Sequence, residues 1–491
     1  MRRTWLKLTG LFLVVLVVIV QGVWAKGSFS QELYVKLTQT KNEIPQIKIP
    51  DYRKLVLKNG LLVYLVEDHE FPIVLTKGCI RGGRERETLQ NAGISKLMVD
   101  LMNTGTLKYN EQELGCYTEL HAVRFKLKAC DQYFTFYGNA LASDQDALLS
   151  LAAEMLCHPQ FMTDYFSRIK AEREKGLKQM ETMEDGLVNK YFYQNILPGH
   201  PYAFDMDNKR QLANLAKMTP DSLADYYHQT VLPNQTIFLV YGDFSLKQME
   251  QAVEKYFGGW VRREVKPAAV EIAEQRATFG RILLVDKADA VQAKIKMGYR
   301  FLDVADFEED LDEKVAFEVG DKIFGGGDFG SYLMDEIRSQ KGYAYDIASG
   351  YFCQRLGGVY QINTRVRPDQ ACETVVTIKQ IMRALKTGQK KVTEEEVFKL
   401  INRANALYPE SFRYKDAIIT SLIENVELKN HAANYFNQYI VAYNRVTAAK
   451  AQAALERWLF PEKLFTVIVG KKEDILPAFQ KTGIKVDVVK D

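Results

Sequence analysis

Metal-assisted hydrolysis needs imidazole, thiolate or carboxylate groups at chelating spacing, and nucleophilic catalysis needs a serine or cysteine beside a base. The six histidines (His69, His121, His158, His200, His228 and His431) include no pair at i, i+3 or i, i+4. The six cysteines show no Cys-x-x-Cys spacing; one or two bridges are possible in an oxidising compartment, but buried free thiols are the plainer reading. Ser167 to Lys170 fits S-x-x-K without its companion motifs, and no G-x-S-x-G occurs. Gly325, Gly327 and Gly330 fit G-x-G-x-x-G by count, but they follow a helical pattern where a dinucleotide loop follows a strand. Side chains that could do chemistry therefore have to be brought together by the fold, since no local spacing does it.

The elements that position them are readable along the chain. Leu55-Val56-Leu57 and Leu61 to Val66 flank Lys58-Asn59-Gly60, a hairpin signal, and Ile73 to Ile80 continues as a third strand. Helical periodicity runs from Asn91 to Met102 and from Asp144 to Leu156, with strand-like Val123 to Phe136 between them. One long helix is expected from about Phe161 to Tyr193, then a buried strand at Thr236 to Tyr241 and a helix at Leu246 to Phe257. The order then repeats. Strands at Ile282 to Val285 and Ala293 to Tyr299 precede helices at Leu311 to Phe324 and Tyr332 to Gln340. Strands at Tyr343 to Cys353 and Gly358 to Val366, helices at Thr374 to Leu385 and Glu394 to Tyr408, and a strand at Leu464 to Val469 complete the parallel. Pro233 to Gly242 and Pro461 to Gly470 both read as proline, buried strand, glycine. Two copies of an α+β unit are expected, over 51–260 and 279–491, with a lead-in over 26–50 and a linker over 261–278.

At this point the residues resemble a family. Ala92-Gly93-Ile94-Ser95-Lys96-Leu97-Met98-Val99-Asp100-Leu101-Met102-Asn103-Thr104-Gly105-Thr106 is similar to the inverted zinc-binding helix of the M16 peptidases (pitrilysin, insulysin and mitochondrial processing peptidase type). Its usual form is A-G-L-A-H-L-L-E-H-M-x-x-x-G-T. The resemblance implies two α/β sandwich domains arranged as a clam shell. In that family two histidines bind zinc and the glutamate between them polarises water; the matching positions here are Lys96, Val99 and Asp100. The family's further zinc-binding glutamate, counted from Glu172-Arg173, falls on Gln179. An ammonium, an isopropyl group, one short acid and an amide make a poor donor set, so no metal is expected in this chain.

Phe324 to Tyr345 resembles the C-terminal M16 motif, and Arg338 and Tyr345 match its arginine and tyrosine. In active relatives that pair holds the substrate backbone and stabilises charge on the carbonyl oxygen. Gly326 and Gly327 are placed with the substrate by the same resemblance. The plainer alternative pairs Arg338 with Glu336 or Asp335 and packs Tyr345 as a strand aromatic. Some M16 peptidases divide the zinc helix and the arginine–tyrosine pair between two subunits, and this chain is similar to the second kind. The implied partners are a zinc-bearing sister subunit and a peptide held by strand addition. Arg124, Lys126 and Lys128 lie on the candidate edge, where they equally serve as protection against aggregation. A scaffold that does no chemistry is the other role the family implies.

With 491 residues and 47% hydrophobic content the chain can bury two or more cores. Its formal charge of +3 supplies no field to hold nucleic acid or an anionic membrane. Residues 1–25 read as an export signal: Arg2, Arg3 and Lys7, then the apolar run Leu11 to Val20, then Val23-Trp24-Ala25. Gln21 and Gly22 cut that run short of the roughly 20 residues a membrane span needs. The periplasm or another extracytoplasmic place is therefore expected.

Overall fold

The computed structural model describes residues 42–265, 278–327 and 330–490. The export signal and most of the linker lie outside the described residues.

The first half builds strands β1 (Arg53–Val56), β2 (Leu62–Glu67), β3 (Ile73–Arg81), β4 (Arg124–Ala129), β5 (Tyr133–Leu141) and β6 (Thr236–Gly242). Its principal helices are α1 (Ile94–Met102), α2 (Glu111–Leu120), α3 (Gln145–Cys157), α4 (Thr163–Thr182), α5 (Glu184–Ile196) and α6 (Leu246–Phe257). The second half builds β7 (Ile282–Asp286), β8 (Ala293–Phe301), β9 (Ala344–Gln354), β10 (Gly357–Val366), β11 (Phe465–Gly470) and β12 (Asp487–Lys490). With them come α7 (Leu311–Phe324), α8 (Ala371–Lys386), α9 (Glu394–Leu407), α10 (Lys415–Ile423), α11 (Tyr435–Tyr443) and α12 (Lys472–Thr482).

The strands form two mixed sheets, ordered β1-β2-β6-β3-β5-β4 and β12-β7-β11-β8-β10-β9. The duplication is explicit in this order. β2 and β6 run parallel, as do β7 and β11, while β3, β5 and β4 match β8, β10 and β9 in antiparallel sequence. Only the outer strand differs, supplied by the chain before β2 in one half and by its C-terminal end in the other. The Asn59-Gly60 turn joins β1 to β2 with Gly60 at φ +90°, and Asn59 Nδ2 donates to the carbonyls of Phe257 and Trp260 at 2.8 and 3.0 Å.

Each sheet buries one face under its own helices and lends the other to its neighbour. The long helix expected over 161–193 is two helices, broken at Met183 in extended conformation (ψ 143°). The break has a packing cause. α4 keeps Phe166, Ile169 and Leu177 in the first core, whereas α5 turns Leu187, Val188, Phe192 and Ile196 onto Val285, Phe465, Val467 and Val469 of the second sheet. Gly186 permits the turn, since a Cβ there would sit 1.8 Å from the Met180 carbonyl oxygen. The second half reciprocates: Ile418, Ile419, Leu422 and Ile423 of α10 cover Tyr64, Val66, Ile237 and Leu239 of the first sheet. Ion pairs between Lys415 and Asp68 at 2.9 Å and between Arg365 and Asp185 at 2.6 Å tie the halves together. Among the described residues no helix is long and apolar enough to cross a membrane.

Lys296 of β8 lies beneath α5, its ammonium donating to Asn189 Oδ1 at 2.9 Å between the rings of Phe192 and Tyr193. Burial, and then the neighbouring Lys294, press it down to about 8. An ammonium depressed in the fold takes up fewer protons than in the unfolded chain, so its contribution makes stability rise with pH from about 8 to 10.5. Lys296→Met is expected to raise unfolding free energy at pH 7 by roughly 1–3 kcal/mol, read by urea titration, and to flatten that alkaline rise.

Candidate functional site

Helix α1 begins at Gly93, which adopts φ +95°, and no cap side chain of its own closes the turn. The carboxylate of Glu87 does so from outside, accepting the amides of Gly93 at 2.8 Å and Ser95 at 3.0 Å. Burial raises this carboxyl, and those amides oppose the rise. Val99 is buried with Leu97 and Met98 in the first core. Lys96 points elsewhere: its Nζ donates to both oxygens of Asp205, at 2.8 and 2.7 Å. Arg84 reaches the same carboxylate and spans to Asp131. Burial pushes Asp205 up, but Lys96 and Arg84 outweigh it and hold the acid below its usual range.

Asp100 sits on the outer face of α1, its carboxyl raised by burial against the pull of Arg173 and Lys96. Gln179 is exposed on α4, which packs against α1. The four positions named from sequence therefore lie on two helices in contact. Their chemistry is an ammonium committed to an ion pair, a core valine, one acid and an amide, a set that does not fit a zinc ion. Among the described residues no group of three or more His, Cys, Asp or Glu is placed to hold a metal. Sequence reasoning missed Asp205, Arg84 and Glu87. The alternating Arg84-Glu85-Arg86-Glu87 was visible, but nothing in its spacing pointed to α1.

In the second half, the last turn of α7 holds Asp321, whose backbone oxygen accepts the amides of Gly325 at 2.8 Å and Gly326 at 2.7 Å. Its side chain accepts Ser349 Oγ at 2.8 Å and Tyr360 OH at 2.6 Å, and burial raises it to about 6. Gly327 beyond it is exposed. Tyr332 donates to Glu396 Oε2 at 2.9 Å, which ties down the far side of the loop. A raised acid binds its proton more tightly in the fold, so its stabilising contribution is complete below about pH 4 and is lost as pH rises through about 6. Asp321→Asn is expected to remove roughly 2–3 kcal/mol of pH dependence from that window, measured as unfolding free energy at several pH values.

Met334–Gln340 winds as a π-helix, a form frequent at functional sites. From it the Arg338 guanidinium lies 5.0 Å from the centre of the Tyr345 ring. Tyr345 opens β9 and is 83% exposed, too open for a packed strand aromatic. Glu336 lies 3.9 Å from the Lys341 ammonium, and Asp335 accepts Gln340 at 2.7 Å. The π-helix and α1 do not pack on each other among the described residues, so the four altered zinc positions and the Arg338–Tyr345 pair stand apart, one group in each half.

The strand-like stretch Val123 to Phe136 is two strands, β4 and β5, turned at Cys130 to Gln132. β4 ends its sheet. Phe125, Leu127 and Ala129 face the core while Arg124, Lys126 and Lys128 are exposed on the other face.

Two family descriptions match this chain: "Insulinase (Peptidase family M16)" over residues 62–203 and "Peptidase M16 inactive domain" over 217–403. The "Uncharacterized zinc protease YmxG" of Bacillus subtilis is 23% identical over 68% of this chain and 78% of its own length. The "Non-peptidase homolog YmxG" of Helicobacter pylori is 22% identical over 65% of this chain and 71% of its own. A crystal structure of a peptidase M16 inactive domain from Pseudomonas fluorescens superposes with a TM-score of 0.74 at 20% identity, covering 86% of this chain and 98% of that one, a likeness of fold. The first match covers β2 to β5, the second runs from β6 through β10, and together they span about two thirds of the chain, which belongs to the M16 insulinase family.

Proposed function

We propose that this chain is the non-catalytic, substrate-holding subunit of a heteromeric M16 peptidase, exported from the cytoplasm and working beside a sister subunit that carries an intact H-x-x-E-H helix. One observation carries the reading: Lys96 stands in the ligand position bound to Asp205, while Arg338 and Tyr345 are retained side by side, with the tyrosine open to solvent. A committed ammonium cannot take up a metal, whereas a guanidinium fork beside an exposed phenol can donate to a peptide carbonyl oxygen as negative charge develops on it. The free edge of β4 offers backbone donors and acceptors for an extended peptide. Gly326 and Gly327 lie on the loop that leads to the Arg338 helix.

The Helicobacter pylori relative, named a non-peptidase homolog, favours a second reading, a scaffold that assembles without any chemistry. Copurification separates the two. The chain is expected to capture an H-x-x-E-H relative from the same cell, and the mixture to cleave peptides that neither subunit cleaves alone. A stable complex in which the sister's rate is unchanged by this chain contradicts the substrate-holding role and leaves the scaffold.

A further inference from the structure

The inner face of the first sheet is only half covered. α10 packs over β2 and β6, and its apolar side chains meet none from β4 or β5. Between α10 and the edge strand lies an open groove of about 470 Å³. Its floor is apolar, formed by Cys79, Ile237 and Leu239 with the aliphatic wall of Ile423 and Leu428. Burial pushes the Cys79 thiol up to about 12, which marks the floor as a low-dielectric place. Tyr137, 44% exposed, stands in the groove with the Lys77 ammonium 5.9 Å from the centre of its ring.

The mouth is basic. Strand alternation puts Lys126 and Lys128 on this face at the rim, and neither makes an ion pair or side-chain hydrogen bond among the described residues. The other groove lysine, Lys77, is neutralised by Asp416. The opposite wall carries Glu424. The groove is thus cationic at the free edge, apolar in the middle and anionic at the far wall.

From this we infer that the groove recognises an extended peptide segment with acidic residues at one end and a large apolar side chain a few residues on. The spacing follows from the sheet. Neighbouring strands stand about 4.8 Å apart, so the path from β4 across β5 and β3 to β6 is about 14 Å, which an extended chain covers in about four residues. A peptide fits better than a lone acyl chain because the groove carries charge at both ends, Lys126 and Lys128 at the edge and Glu424 at the far wall, whereas an acyl chain offers a single carboxylate. This names the substrate class for the peptide-holding role proposed above and rests on it.

The test uses the chain alone and a fluorescein-labelled peptide in which two aspartates precede a leucine-phenylalanine pair by three residues, followed by anisotropy. Saturable binding is expected, at least about tenfold tighter than for the same peptide with lysines in place of the aspartates or serines in place of the apolar pair. The exposed double variant Lys126→Glu/Lys128→Glu is expected to weaken binding about tenfold or more, while Lys217→Glu, on another surface, leaves it unchanged. Equal binding of the lysine peptide, no effect of the double variant, or saturable binding of laurate by calorimetry with no binding of the peptide would each overturn the inference. Copurification reads the heteromeric proposal separately. Peptide binding by a chain that captures no sister subunit leaves the groove standing and removes the assembly; capture of a sister by a chain that binds no peptide does the reverse.

Discussion

Replacing Arg338 by alanine is expected to slow peptide cleavage by the assembled pair about 10²–10³-fold in kcat, the usual cost of losing one donor to a developing oxyanion. The ground-state carbonyl gains little from a guanidinium, so KM should move far less than kcat. Arg338→Lys is expected to recover only a small part of the rate. A point charge on a flexible stem reproduces neither the planar fork nor the stacking over Tyr345, whose ring lies 5.0 Å from the guanidinium. Size-exclusion chromatography of the variant pair should show the complex intact, since Tyr345 beside it is exposed. An unchanged rate in a complex of normal stoichiometry would remove Arg338 from the chemistry.

The second large effect is one of stability. Asp205→Ala is expected to cost about 2–4 kcal/mol, because it takes from the buried guanidinium of Arg84 one of its two carboxylates and deprives Lys96 of its anion in one step. Lys96→Met should cost much less, on the order of 1 kcal/mol, since Asp205 keeps Arg84 and the Lys96 side chain is already one-third exposed. Chemical denaturation of both variants checks the order. The pH sign is fixed by Asp205, whose carboxyl is held below its ordinary value in the fold. Its stabilisation is therefore present above about pH 4 and is lost as pH falls through the lowered value; Asp205→Ala should lose this acid sensitivity. Equal costs for the two substitutions would mean that the cluster is not organised around Asp205.

The duplicated architecture was legible in the sequence because its centre is apolar and local. Thr236–Gly242 and Phe465–Gly470, read as matching buried runs closed by glycine, are the strands that pair in parallel with β2 and β7 at equivalent places in the two sheets. The break at Met183 was not legible, since a helical pattern continues through it and the cause is a surface that only the folded second half supplies. The turn between β4 and β5 lacked a glycine or proline to announce it. Helix α2 was missed for another reason. Only Leu114 of its residues is buried, so it has no apolar stripe, and its start is fixed by an Asn110–Glu113 capping box.

The candidate site divides the same way. Lys96, Val99 and Asp100 could be placed because they share one helix with recognisable flanks. Asp205, which sets what Lys96 does, lies 109 residues away, and no spacing rule joins them. The unpaired Lys126 and Lys128 were readable as edge charges, but the apolar groove beside them exists only because α10 arrives from the far half and stops short of β5.

The claim on which the rest depends is that the centre built around Lys96 and Asp205 takes no metal. Elemental analysis of the isolated chain, purified without chelator and then offered excess zinc and desalted, tests it most directly. The account predicts zinc far below stoichiometry and no peptide hydrolysis sensitive to a chelator. Stoichiometric zinc, with hydrolysis that a chelator abolishes and added zinc restores, would contradict it.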